Sequence, residues 1–101
     1  MKYKLIFLAL LFSMCSNVTQ EASKDIRVVS LSTTHTEIIQ SLGAQETLIA
    51  VDFFSEVDFP VEVIDAYTVT AEELAPLNPD VVILAFDFNG IVEGLENQEI
   101  N

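Results

Sequence analysis

The segment VVILA at residues 81–85 restricts the fold of this chain to a few classes. All five side chains are apolar, so a strand formed here would need a cover on both of its faces. Strands of this kind occur in parallel sheets that carry helices on both sides. The segment is therefore predicted to be a buried strand of a parallel sheet.

Strand and helix patterns alternate in the sequence that precedes this segment. Val28, Val29 and Leu31 make a short, β-branched and apolar strand pattern, and residues 48–51 (LIAV) are predicted to form the second strand. Between them, Thr34 and Glu37 have the S/T-x-x-E spacing of a helix capping box. Gly43 suits the left-handed residue that follows a helix. The apolar face of this helix is predicted to consist of Ile38, Ile39 and Leu42.

The second half of the chain continues the alternation. Residues 52–65 are predicted to form a loop, and Thr70 with Glu73 repeats the capping-box spacing. This spacing predicts a short helix over residues 70–77. Asn89-Gly90 precedes a last helix, whose inner face is predicted to be Ile91, Val92 and Leu95. The order predicts an α/β fold: a parallel sheet with helices on both faces, in three layers.

The first fifteen residues have the composition of a bacterial secretion signal. Two lysines precede an apolar run at residues 5–12, which is shorter than the about 20 residues that span a bilayer. Cys15 follows, where bacterial lipoproteins carry their acylated cysteine, and residues 16–24 form a polar linker. We expect residues 1–15 to be a signal peptide and Cys15 to be lipidated. The alternatives are a buried N-terminal element and a free thiol.

The charge of the exported part is strongly acidic. Of four basic residues only Lys24 and Arg27 lie beyond the signal, against sixteen acids. This excess argues against binding nucleic acid, which requires lysine and arginine. It also argues against docking on anionic lipid by charge, so contact with a membrane is expected only through a lipid anchor. Residues 25–101 are expected to form one small domain.

The predicted strands end in three polar or aromatic segments. These are Ser32-Thr33-Thr34, residues 52–55 and Phe86-Asp87-Phe88. Ligands of parallel sheets bind at the carboxyl ends of the strands, so these segments are the candidate site. No G-x-G-x-x-G or Walker loop is present, and His35 is the sole histidine. We therefore expect no catalytic residues, no metal site and no cofactor.

Three segments together resemble a known family. RVVSLSTTHTEIIQSLGA (27–44) resembles a strand followed by S-P-[ST]-x-T-E, an apolar helix and L-G-A, with Thr33 in place of the usual proline. LIAVDFFSEVDFP (48–60) is similar to V-G-V-x-x-x-S-x-Y-P, with two extra residues near Glu56 and Val57. TAEELAPLNPDVVIL (70–84) is similar to N-x-E-x-I-x-x-L-x-P-D-L-V-I. In this order they resemble bacterial substrate-binding proteins of ABC transporters for iron–siderophore complexes and cobalamin.

The resemblance implies a two-lobed clamshell that captures a metal chelate outside the inner membrane and delivers it to a permease. Such a protein is a periplasmic or membrane-anchored monomer and not an enzyme. Glu72 matches the family's permease-docking glutamate, although its charge also suits a helix N-terminus. Expected ligand-facing residues are Ser32, Thr33, Thr34, Phe54, Ser55 and Tyr67 by resemblance, with Phe86 and Asp87 added by strand topology. Phe54 and Tyr67 could instead simply cover the sheet edge.

The sequence departs from the family at its end. It stops at Asn101, where the next strand of the first lobe is expected, so we interpret residues 25–101 as a partial, truncated N-terminal lobe. The chelate could be an iron–siderophore, cobalamin or haem. The alternative hypothesis is a small, membrane-anchored α/β module that binds a protein partner and no small molecule.

Overall fold

A computed structural model describes residues 25–101 of the chain. The predicted signal peptide (1–15), Cys15 and the linker (16–24) lie outside the described residues. Seven elements are formed: β1 Val28–Leu31, α1 Thr33–Ser41, β2 Leu48–Asp52, β3 Glu62–Ile64, α2 Ala71–Leu74, β4 Val81–Leu84 and α3 Ile91–Asn97. Short 3-10 turns occupy Gln45–Thr47, Ala75–Leu77 and Phe88–Gly90. No helix within 25–101 is long and apolar enough to cross a membrane.

The four strands form one parallel sheet in the order β3-β2-β1-β4. The chain therefore runs outward from β1 through β2 to β3, then crosses back to the other side of β1. Because right-handed crossovers in opposite directions place their helices on opposite faces, α1 and α2 cover different sides of the sheet. The predicted three-layer α/β fold is confirmed.

Two apolar clusters fill the two sides of the sheet. The larger is built around Val29, Ala50 and Leu74, to which α3 adds Ile91 and Leu95. The smaller consists of further sheet residues with half-buried side chains from α1 and the segment after β2: Val28, Leu48 and Val51 with Ile39, Val57, Phe59, Val61 and Ile83. Both faces of the sheet are thus covered, as the apolar strand patterns require.

Helix α1 begins two residues earlier than the capping-box spacing predicts. Ser32 is its N-cap and accepts a hydrogen bond from the backbone N–H of His35, so the prediction that Thr34 and Glu37 form a capping box is wrong. Strand β1 ends at Leu31, and Ser32 is the first residue that can cap the following helix. The left-handed conformation predicted for Gly43, with φ of 72°, is confirmed.

The residues of α1 that face the sheet also differ from those predicted. Thr36 is fully buried, with its hydroxyl 2.8 Å from the Ser30 hydroxyl, so the helix contacts the sheet through a polar seam. Residues that lie one turn on, such as Ile39, share this face. Ile38 and Leu42 are instead 50% and 76% exposed, which contradicts their predicted packing.

The loop predicted over residues 52–65 contains a strand. Residues Glu62–Ile64 form β3 at one edge of the sheet, with Glu62 and Val63 exposed. The strand has only three residues, EVI, and short strands of this kind are common at the edges of sheets. Three residues are too few to show an apolar or alternating strand pattern, so the sequence did not predict this strand.

The strand at residues 81–84 is confirmed as parallel, but it is not buried. It pairs with β1 on one side only, and Val81 is exposed while the other three residues are half-buried. On its outer side, the backbone N–H of Val82 donates to the carbonyl oxygen of Asn101 at 2.6 Å. Its all-apolar sequence therefore belongs to an outer strand of the described sheet.

The second capping box is confirmed. The Thr70 hydroxyl accepts from the N–H of Glu73, and the Glu73 carboxylate accepts from the N–H of Thr70. The helix ends in a 3-10 turn at Ala75–Leu77, close to the predicted end at residue 77. The last helix packs through Ile91 and Leu95, but Val92 is exposed. Gly94 allows this helix to lie close to α2, because a Cβ at this position would lie 2.9 Å from that of Ala71.

Candidate functional site

The strand order places a topological switch point between β1 and β4. The connections from these two neighbouring strands leave toward opposite faces of the sheet, and such switch points are where open α/β sheets bind ligands. The segments that follow them are Ser32-Thr33-Thr34 and Phe86-Asp87-Phe88. The segment after β2 lies beside them on the same edge. The topology therefore brings together the three segments predicted from the strand patterns.

Asp52, the last residue of β2, holds two of these segments together. It is 4% exposed, and its carboxylate accepts hydrogen bonds from the hydroxyl of Thr33 at 3.0 Å and the N–H of Phe54 at 3.2 Å. The hydroxyl of Ser55 also donates to this carboxylate. Three donors satisfy the buried charge, which would otherwise be costly to bury. Thr33 and Ser55 are thereby fixed at adjoining positions on the edge.

The start of α1 lies at this switch point, directly after β1. Ser32 is buried, and its Oγ lies 2.7 Å from Nδ1 of His35, so the serine hydroxyl is engaged with its own helix. Thr34 is exposed at this end. Of the first-turn amides, that of His35 is bonded to Ser32, while those of Thr33 and Thr34 have no acceptor within the helix and face this edge. The arrangement offers hydroxyl and amide donors to a ligand, with Ser32 acting through the helix it caps.

Five aromatic rings form a continuous row along the same edge. Ring centroids are separated by 4.8 Å for Phe53–Phe54 and by 6.4 Å for Phe54–Tyr67. Tyr67–Phe88 follows at 4.7 Å and Phe88–Phe86 at 5.7 Å. Phe54 is 60% exposed, Tyr67 54% and Phe86 70%. We call these five residues the aromatic row; its ring faces and edges are available to a large flat molecule.

Hydrogen bonds fix the outer part of the aromatic row. The side-chain amide of Asn89 donates to the carbonyl oxygen of Tyr67 at 2.8 Å, which ties the segment after β4 to the one after β3. Asp87 accepts from the N–H of Val92 at 3.0 Å, and Asp65 accepts from the N–H of Tyr67 at 3.0 Å. Asp87 therefore stabilises the first turn of α3 and also lies at the carboxyl edge of the sheet.

The residues expected to face a ligand thus lie in adjoining segments of one edge. Phe54, Tyr67 and Phe86 join the aromatic row, while Ser32, Thr33 and Ser55 make the polar bonds beneath it. Sequence reasoning missed Phe53 and Phe88 as members of the row, and Asp52 as its organiser. Their position directly after strands was the available signal, since all three lie in segments that the strand pattern had marked.

Glu72 lies on α2 and is exposed. The capping role in this helix belongs to Glu73, so Glu72 is not needed to close the box. It lines a depression of about 400 Å³ between the starts of α2 and α3, together with Thr70, Asn89 and Gly90. Across residues 25–101, no group of three or more metal-ligating side chains is present.

Among solved structures, the chain is similar to the crystal structure of the periplasmic haem-binding protein HutB of Vibrio cholerae. The two share 29% sequence identity and superpose with a TM-score of 0.62. The match covers 77% of this chain and 32% of the HutB chain, so the sequence spans about a third of that protein. No protein-family model and no curated protein matches the sequence. The four-stranded parallel sheet with its helices matches the N-terminal lobe of a periplasmic binding protein.

Proposed function

We propose that this chain supplies one wall of the ligand cleft of an exported substrate-binding protein, which carries a metal chelate to the permease of an ABC importer. The aromatic row carries the proposal. Exposed phenyl and phenol rings in a connected line are uncommon on a solvated surface, and aromatic side chains are a frequent lining of small-molecule sites. The likeness to a haem-binding protein supports binding rather than catalysis.

The exposed rings of this wall support a metal chelate as the ligand class. A flat macrocycle such as haem or the corrin ring of cobalamin can cover several rings of the row at once. The hydroxyl of Thr34 and the amides of Thr33 and Thr34 can donate to polar groups at the rim of the ligand. An aromatic-rich siderophore could contact the same surface through its own rings.

Titration of the full chain with haem, cobalamin and ferric siderophores tests the proposal. The chain has no tryptophan and two tyrosines, Tyr3 and Tyr67, so a Tyr3→Phe variant makes Tyr67 the sole tyrosine emitter. We expect saturable quenching of Tyr67 by at least one chelate. Quenching by none of them would overturn the proposal and favour the alternative of a small protein-interaction module.

Two variants connect this binding to the aromatic row. Phe54→Ala and Tyr67→Ala should each weaken binding by about tenfold, because each removes a large contact surface. Phe59→Ala is the control: Phe59 is half-buried and packs in the smaller cluster, on the face of the sheet rather than on its carboxyl edge. Equal losses in all three variants would attribute the effect to folding.

We also propose that Glu72 contacts an arginine of the permease. Its support is the exposed position on α2 and the assignment of the capping role to Glu73. Glu72→Gln should weaken binding to the cognate permease by about fivefold or more, as expected for loss of a charge-assisted hydrogen bond. The matched control is Glu46→Gln on the opposite end of the sheet, which should have no effect. Equal effects of the two changes would indicate general charge attraction.

The proposed location is the periplasm or the outer face of the membrane. Its support is the signal-like sequence at residues 1–15 and the likeness to a periplasmic protein. Mass spectrometry of the mature N-terminus tests lipidation, with a diacylated Cys15 expected. An unmodified Cys15 would rule out the lipid anchor and leave the proposed binding role untouched.

A further inference from the structure

The carboxyl edge of the sheet carries acids and aromatic rings but lacks a lysine or arginine among the described residues. Asp52, Asp65 and Asp87 all lie in or beside the segments of the site. Arg27 is the one lysine or arginine within residues 25–101, and it precedes β1, at the other end of the sheet. There its guanidinium donates to the carbonyl oxygens of Leu77 and Asn78. A strand of four residues separates this cation from the site by about 13 Å.

The start of α1 would ordinarily attract an anion, because helix N-termini carry a partial positive charge. Here the chain's own carboxylate already lies there. Asp52 accepts a hydrogen bond from the hydroxyl of Thr33, the first residue of α1, and lies beneath the aromatic row through its bond to the N–H of Phe54. A second anion at this position would meet a buried negative charge at close range, where solvent screens poorly.

The aromatic row has the opposite preference. The faces of phenyl and phenol rings carry partial negative charge and attract cations within about 6 Å. Asp87, exposed beside Phe86 and Phe88, adds a full negative charge at one end of the row. His35 also lies at this edge, and its Nδ1 lies 2.7 Å from Ser32 Oγ.

We infer that this wall selects flat ligands that are uncharged or cationic over anionic ones of the same shape. The inference rests on the proposed function and narrows it. Among macrocyclic chelates, it favours uncharged corrinoids over anionic ones. It also places haem, with its two propionates, at a disadvantage on this wall.

Two porphyrins of similar size and opposite charge test the inference: tetrakis(N-methylpyridyl)porphyrin, which is cationic, and tetrakis(4-sulfonatophenyl)porphyrin, which is anionic. Each is titrated into the full chain at low and at moderate salt, followed by its visible absorbance band. We expect the cationic porphyrin to bind at least tenfold more tightly, with a preference that shrinks as salt is added. Equal or tighter binding of the anionic porphyrin overturns the inference while leaving the proposed function standing. Binding of neither porphyrin, together with no binding of haem, cobalamin or siderophores, overturns both.

Two pairs of substitutions test whether the preference for the cationic porphyrin comes from charges beside the row or from the overall charge of −12. The double change Asp65→Asn and Asp87→Asn keeps an oxygen acceptor for the N–H groups of Tyr67 and Val92 while removing two charges beside the row. It should reduce the preference about threefold or more. The control, Glu46→Gln with Glu96→Gln, removes two charges near the opposite end of the sheet. It should reduce the preference for the cationic porphyrin by less than half of the reduction caused by the first pair. An equal reduction by both pairs would overturn the inference, as would an unchanged preference in Phe54→Leu.

Discussion

The two ends of the sheet differ in what their side chains do. At the amino end, Arg27 satisfies the carbonyl oxygens that close the turn before β4, and its own backbone N–H is bonded to the carboxylate of Asp80. At the carboxyl end, the rings of Phe54, Tyr67 and Phe86 lie more than half exposed. One end uses its polar groups to join chain segments, and the other leaves apolar surface open to solvent.

The contrast indicates which end is free to bind a ligand. A folded chain of this size gains stability by covering apolar surface, so rings left open contribute little to folding. Their positions are nevertheless fixed, because Asp52 and Asn89 hold the segments that carry them. The carboxyl end therefore combines rigid support with an uncovered surface, which is what a binding site requires.

At the carboxyl end, the largest expected effect comes from removing the carboxylate that holds the aromatic row in place. Asp52→Ala should lower the free energy of unfolding by about 3 kcal/mol, because it leaves the donors of Thr33, Phe54 and Ser55 without their acceptor. Chemical denaturation measures this change. Asp58→Ala, which removes an exposed acid, should cost no more than about 0.5 kcal/mol. Similar losses in the two variants would show that Asp52 is not the organising residue of this end.

A smaller and purely structural effect is expected at the amino end. Arg27→Ala should lower the free energy of unfolding by about 1 kcal/mol, because its hydrogen bonds to backbone carbonyls are solvent-accessible. Chelate affinity should stay within about twofold of the parent chain, since a sheet length separates Arg27 from the row. Parallel denaturation and binding titrations check both parts. A loss of affinity that exceeds the loss of stability would contradict the division between the two ends.

The sequence predicted the parts of this fold that depend on local chemistry. The Thr70–Glu73 capping box and the turn at Gly43 are confirmed, because each is decided by a few neighbouring residues. The register of α1 was not predictable in this way. Ser32 and Thr34 are both able caps, and the choice between them depends on where β1 ends and on the burial of Thr36 against Ser30.

How deeply each strand is buried depends on its position in the sheet rather than on its amino-acid composition. VVILA and LIAV have similar sequences, yet β2 lies inside the sheet while β4 lies at its side. For the site, the strand ends were predictable because all parallel strands end at one edge. The contacts of Tyr67 with Phe54 and Phe88 were not predictable, since they join three segments whose spacing only the folded sheet defines.

The smallest expected change in stability is at Phe86, and it tests the contrast most directly. Phe86 is 70% exposed, so Phe86→Ala should change the free energy of unfolding by no more than about 0.5 kcal/mol. Ile91→Ala, five residues later but 5% exposed, should cost about 2–5 kcal/mol. Chelate affinity, measured under conditions where both variants are folded, should show the opposite order. It should be lower in Phe86→Ala and unchanged in Ile91→Ala. If Phe86→Ala were as destabilising as Ile91→Ala, the aromatic row would be part of the core rather than a surface available to a ligand.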